Sequence, residues 1–193
     1  MRHIIVVFGP SGCGKSTVGK FLQEKRGFEH VEGDQYQPKE NIEKMKSGSP
    51  LNGLDYAAWL GKLSHAAIDM STKHELVVVS CSALKRTHRN FFRSAVIDYN
   101  KANEKSWSKS KISLHFLFLQ ISEKKAETLV KERRLNDGDY LPKCLVRNQF
   151  EILEVPRGGD RGELSIDCTI IDAGKGAEWM LKGVEDILEA FIS

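Results

Sequence analysis

The chain has 193 residues, 40% of them hydrophobic and 28% charged, with Lys+Arg 29 against Asp+Glu 26 and a formal net charge of +3. That length supports one well-buried core. So small a basic excess argues against a nucleic-acid partner and suits an enzyme that handles phosphate or carboxylate.

Five short apolar runs read as strands: Ile4–Phe8, Glu29–Glu32, Leu76–Ser80, Ile112–Leu119 and Cys168–Asp172. The first, third and fourth are rich in Val, Ile, Leu and Phe with little alternation, the pattern of strands buried on both faces. Segments of helical spacing separate them: Lys15–Arg26, Ala57–Ser71, Leu84–Tyr99, Glu123–Arg134, Leu141–Leu153 and Ala177–Phe191. A shorter helical segment, Pro38–Lys46, follows the second strand. Alternating strand and helix predicts an α/β fold, a five-stranded parallel sheet with helices on both faces, in one domain. Asn100–Lys111, with four lysines and three serines, reads as a surface loop, and Leu135–Pro142 as a second loop with Asn136, Gly138 and Pro142 as breakers.

No stretch approaches the roughly 20 apolar residues of a membrane span. The apolar run after Met1 ends at Phe8, too short for a secretory leader. Cys13, Cys81, Cys144 and Cys168 have neither CxxC spacing nor a histidine at ligand spacing, so they read as reduced thiols. The expected location is the cytoplasm.

The sharpest signal is Gly9-Pro10-Ser11-Gly12-Cys13-Gly14-Lys15-Ser16-Thr17, which meets G-x-x-x-x-G-K-[ST] at every fixed position. Glycines let the main chain wrap an anion with its N–H groups turned inward. The helix that opens at Lys15 adds its positive end. Lys15 is expected on the β/γ-phosphates of ATP and the Ser16 hydroxyl on Mg²⁺. The motif follows a strand and opens a helix, as a phosphate loop requires, and Cys13 fills a variable position.

Further segments carry a resemblance. GPSGCGKSTVG (Gly9–Gly19), EGDQYQPKENIEKMKSGSPLN (Glu32–Asn52), Trp59-Leu60, VSCSALKRTHR (Val79–Arg89) and NQFEILEVP (Asn148–Pro156) resemble, in order and spacing, the gluconokinase family, small relatives of shikimate and adenylate kinases. The resemblance implies a P-loop kinase fold with a small lid near residues 133–142. It implies phosphorylation of the 6-hydroxyl of D-gluconate with ATP and Mg²⁺, and it admits a homodimer. It matches Asp34 to the acidic residue facing the acceptor, and Lys85 and Arg89 to a basic pair that binds substrate. Arg134, or its neighbour Arg133, is matched to the lid arginine. Arg157–Gly162 lies near the family's adenine-side contacts.

The residues themselves agree. Asp34 ends a strand where open α/β sheets bind ligands, and a carboxylate there can orient or deprotonate a hydroxyl; the alternative is that it caps the Pro38–Lys46 helix. Ser82 is the expected N-cap of the next helix, with Lys85 and Arg89 on one face of it. The resemblance breaks at four positions: Gln37 for histidine, Gly53 for an acidic residue, Tyr56 for arginine and Asp139 for histidine. Tyrosine cannot replace the bidentate grip of arginine on a carboxylate. These departures leave open a kinase of another small sugar acid or polyol, or a nucleotide-binding homologue with a weakened acceptor site.

Overall fold

The computed structural model describes residues 1–106, 110–137, 143–158, 162–163 and 166–192, with the side chains of 133–137, 143, 144 and 192 outside that description. Five strands, β1 (Arg2–Phe8), β2 (Glu29–Glu32), β3 (Leu76–Cys81), β4 (Ile112–Gln120) and β5 (Cys168–Asp172), form one parallel sheet in the order β2-β3-β1-β4-β5. The connecting helices are α1 (Lys15–Arg26), α2 (Lys39–Lys46), α3 (Gly53–Ser71), α4 (Arg86–Ala102), α5 (Glu123–Asp137), α6 (Lys143–Glu151) and α7 (Ala177–Ile192). This is the parallel α/β sheet that the alternation predicts, in the P-loop NTPase architecture that the Gly9–Thr17 motif and the resemblance imply.

β1 sits at the centre, and its side chains explain why. Ile4, Val6 and Phe8 point to one face, where they meet Trp59, Leu60 and Leu63 of α3 and Phe92 of α4. Ile5 and Val7 point to the other, against Val18 and Leu22 of α1 and Met180 and Val184 of α7. Every residue from Ile4 to Phe8 is buried. A strand with both faces covered has no room for polar alternation, and its C-terminal end carries the loop at Gly9 directly out of the core.

The helix starts differ from expectation in instructive ways. α3 begins four residues before Ala57 because Asn52 caps it: Asn52 Oδ1 accepts from the Leu54 and Asp55 amides at 2.9 and 3.0 Å, and Asp55 Oδ2 accepts from the Asn52 amide at 2.8 Å. Such a reciprocal box satisfies N–H groups that a helix start leaves open. Lys44 Nζ also reaches Asp55, at 2.7 Å, tying α2 to α3. The Asn52 amide, then Lys44, hold the Asp55 carboxyl below its usual range. α4 begins at Arg86, with Lys85 and not Ser82 at the N-cap. Residues 107–109 of the expected Asn100–Lys111 loop and 138–142 of the lid expected near 133–142 fall outside the described residues, and α5 extends through Asp137.

Candidate active site

The loop between β1 and α1 is strained in the sense that its chemistry requires. Gly9, Gly12 and Gly14 take φ of 149°, 83° and 100°. At Gly12 a Cβ would also stand 2.8 Å from the Ala126 carbonyl oxygen and 3.1 Å from Val130 Cγ2 of α5. Neither the backbone angle nor the space admits a side chain there. Gly14 is the left-handed N-cap of α1, and its absent Cβ leaves room for the Met180 methyl of α7. The loop is thus boxed by α5 on one side and α7 on the other.

Lys15 Nζ arches back to donate to the carbonyl oxygens of Gly9 at 3.1 Å and Pro10 at 3.0 Å. No carboxylate pairs with it among the described residues, and the first turn of α1 holds no acidic residue. The cradle therefore combines glycine-formed concavity, open amides at a helix start and an uncompensated ammonium. That donor set fits a polyphosphate tail. Behind it, His30 Nε2 lies 2.9 Å from Ser80 Oγ, which donates to the Lys15 carbonyl at 3.2 Å. This relay from β2 through β3 fixes the first turn of α1, and nothing in the sequence motif announces it.

Asp34 lies in a short 3-10 turn, Gly33–Tyr36, directly after β2. Trp59 Nε1 donates to the Gly33 carbonyl at 2.8 Å, which anchors the turn to α3. The Asp34 carboxylate is exposed and accepts from Gln37 Nε2 at 3.1 Å. It does not cap α2, whose N-cap is Pro38 without a side-chain bond. Gln37, one of the departures from the family pattern, thus takes a definite task in holding this carboxylate. Burial pushes the Cys81 thiol up to about 12; Lys15 draws it down while Asp34 and Glu32 push it up. Cys81 therefore sits where the fields of the loop lysine and the acidic turn meet.

Tyr56, another departure, stacks on His88 with ring centroids 4.0 Å apart and planes 26° apart. His88 is buried, and burial first, then Lys85 and Arg89, lowers its pKa to about 4. The arginine of the family pattern is replaced here by an uncharged aromatic pair.

The expectation that Arg89 offers a cation to substrate is corrected by its surroundings. Its side chain is 0% exposed. Nε and Nη2 donate to the two oxygens of Glu163 at 2.7 and 2.5 Å, Nη1 to the carbonyls of Ala83 and Leu84, and Nη2 also to that of Glu154. All five donors of the guanidinium are used. Arg93 joins the same Glu163 at 2.8 Å and grips Asp167 through Nε and Nη2 at 2.8 Å each. Burial pushes the Glu163 carboxyl up, but hydrogen bonds from Arg89 and Arg93 outweigh it and hold the carboxyl below its ordinary value. Arg89 is a structural tie between α4, the turn after β3 and the approach to β5. It also fixes Ala83, the one non-glycine residue with positive φ (37°) among those described. Lys85, by contrast, is half-buried at the helix start, and its ammonium has no ion-pair partner among the described residues. The side chains of Arg133 and Arg134 lie outside the description, as do Asp139 and 159–161.

One contact at the loop has no counterpart in the sequence expectations. The Ser11 amide donates to Gln149 Oε1 of α6 at 2.7 Å. Gln149 stands within NQFEILEVP, but only the tertiary structure brings it to the loop.

No family model matches the chain. Curated relatives do. The chain is 36% identical over 167 residues to a probable gluconokinase of Schizosaccharomyces pombe, covering 86% of this chain and 79% of that one. It is 34% identical over 181 residues to a probable gluconokinase of Rattus norvegicus, covering 89% and 97%. Among solved structures, a gluconokinase from Sinorhizobium meliloti 1021 aligns over 100% of this chain and 98% of its own, with 32% identity and a TM-score of 0.68. With relatives more than 30% identical matched over most of their length and of its own, the chain belongs to the gluconokinase family.

Proposed function

We propose that this protein phosphorylates D-gluconate to 6-phosphogluconate with ATP and Mg²⁺, in the cytoplasm. The observation that carries the reading is the Gly9–Thr17 cradle, whose Lys15 pairs with no carboxylate among the described residues, in a member of this family. Magnesium, when bound, neutralises phosphate charge, and the Ser16 hydroxyl is the group that would hold it. Lys15 and the loop amides bind the phosphates and favour the charge that develops on the transferring group. Asp34, steadied by Gln37, orients the attacking hydroxyl and takes its proton. Lys85 faces the acceptor carboxylate as a point charge, a task that Arg89 cannot share. Arg134, or its neighbour Arg133, is the proposed lid arginine.

The role of Asp34 has a clear expected result. Asp34→Asn keeps the shape and the bond to position 37 but removes the base, so kcat falls by on the order of 10²-fold with KM for gluconate little changed. Steady-state kinetics check this, and a rise in KM alone would reduce Asp34 to a binding group.

The Tyr56–His88 stack favours a second reading, a kinase of another small sugar acid or polyol, because an aromatic wall grips a carboxylate less well than arginine does. A coupled ADP-release screen across gluconate, other aldonic acids, shikimate and polyols separates the two. Gluconate giving the highest kcat/KM supports the first. A neutral polyol outrunning every acid would establish the second, and ATP turnover that no acceptor raises would exclude both.

A further inference from the structure

The phosphate loop of this protein is held from outside its own motif. Ser11 is the third residue of the loop, between Pro10, which has no N–H, and Gly12, whose φ is 83°. Its amide donates to Gln149 Oε1 at 2.7 Å, a short, well-formed bond. The two residues are 138 apart in sequence. Gln149 is half-buried on α6, whose neighbours Leu145 and Val146 are buried, Val146 in the same core as Cys13. The helix is therefore a firm mount and the side chain a strut from it to the loop. On the other side, Gly12 presses against Ala126 and Val130 of α5. α5 and α6 are the two helices that flank residues 138–142 in sequence, so these two contacts to the Pro10–Gly12 stretch from outside the motif come from the elements bordering that segment.

We infer that Gln149 is a positioning residue for nucleotide: its side-chain carbonyl sets the Pro10–Ser11–Gly12 backbone in the conformation that receives the phosphates, and links that conformation to α6. An amide suits the place better than a carboxylate. It accepts from the Ser11 N–H without setting a negative charge beside a polyphosphate. Among the described residues Gln149 Nε2 donates to nothing, so the group's one internal bond is the one to the loop. This inference rests on the reading of the loop as the ATP phosphate site and adds to it a residue outside the motif.

The test is direct binding of MgATP, measured by calorimetry, on the wild type and on Gln149→Met and Gln149→Glu, together with KM for the acceptor. Wild-type protein that fails to bind MgATP would overturn the reading of the loop itself, independently of Gln149. Given wild-type binding, Gln149→Met fills the same volume but accepts no hydrogen bond. Its Kd for MgATP should rise about 10-fold, the scale of one main-chain donor left without its acceptor, with acceptor KM within about twofold. Gln149→Glu keeps the acceptor but adds charge. Its affinity relative to wild type at each pH should be weakest near pH 8 and recover as the pH falls toward the ordinary carboxyl range near 4.3, where the protonated side chain again resembles glutamine. A residue that only packs α6 would give neither the nucleotide-specific loss nor the pH-dependent recovery. MgATP affinity within twofold of wild type in folded Gln149→Met, or equal losses for nucleotide and acceptor, would overturn the inference. Should Gln149→Met not fold, a Gln149→Glu variant whose affinity relative to wild type does not change with pH would do the same.

Discussion

Replacing Lys15 with alanine should reduce kcat by at least about 10³-fold while the protein stays folded. The size follows from the job. A cation on the transferring phosphoryl group acts where charge develops and water is excluded, and loss of one such donor typically costs about 10²–10³-fold; a full positive charge exceeds a neutral amide. The stability side is equally definite. Among the described residues Lys15 Nζ is held by the carbonyls of Gly9 and Pro10 and lies 4.0 Å from Cys13 Sγ. It pairs with no carboxylate among the described residues, so its removal strands no buried charge. Circular dichroism and the melting temperature should therefore match the wild type within a few degrees. Substantial residual turnover in the folded variant would contradict the assignment.

Arg89→Met should instead spare the chemistry groups and strike the fold. It removes one partner of a fully buried, five-bonded ion pair and leaves Glu163 with Arg93 alone. Breaking a buried pair from one side costs about 3–5 kcal/mol, a large share of the roughly 5–15 kcal/mol that holds a domain together. In a chain of this length that lowers the melting temperature by about 10 °C. The carbonyls of Ala83, Leu84 and Glu154 lose their donors as well. The double variant Arg89→Met/Glu163→Leu should regain part of the loss, because Arg93 keeps Asp167 and no lone charge stays buried. The pH dependence has a fixed sign. The carboxyl of Glu163 titrates below its ordinary value of 4.5 in the folded protein. Its contribution is therefore complete above that value and is lost as pH falls through the depressed folded one. The wild type should lose stability in acid more steeply than the double variant, and thermal melts between pH 6 and 3 check this.

These two residues also show how far the chain is legible from its sequence. Lys15 is assignable from sequence alone because its partners are its own neighbours: the motif, the preceding strand and the following helix lie within a short window. β1, β2 and α1 fall nearly to the residue where the sequence places them for the same reason, since continuous burial and helical spacing are local properties. Arg89 reads as a substrate cation because a lone arginine near an anion site looks the same whether it faces solvent or a carboxylate 74 positions away. Nothing in the spacing of Leu84–Tyr99 reveals Glu163. Gln149 and the His30–Ser80 relay are hidden likewise, each depending on a pairing between distant segments. The early start of α3 is different. Asn52 and Asp55 stand at capping-box spacing, so that signal is present in the chain, but Gly53 and the absence of an apolar stripe before Ala57 outweigh it.

The burial of Cys13 bears on how the protein meets oxidants and alkylating reagents. A cysteine in a phosphate loop invites the idea of a chemical off-switch. Here its sulfur is packed under the loop, 2% exposed, and burial pushes the thiol above its ordinary range despite the nearby lysine. The reactive species is the thiolate, and it must be reached. Peroxide or iodoacetamide should therefore leave the loop unmodified for as long as the protein stays folded.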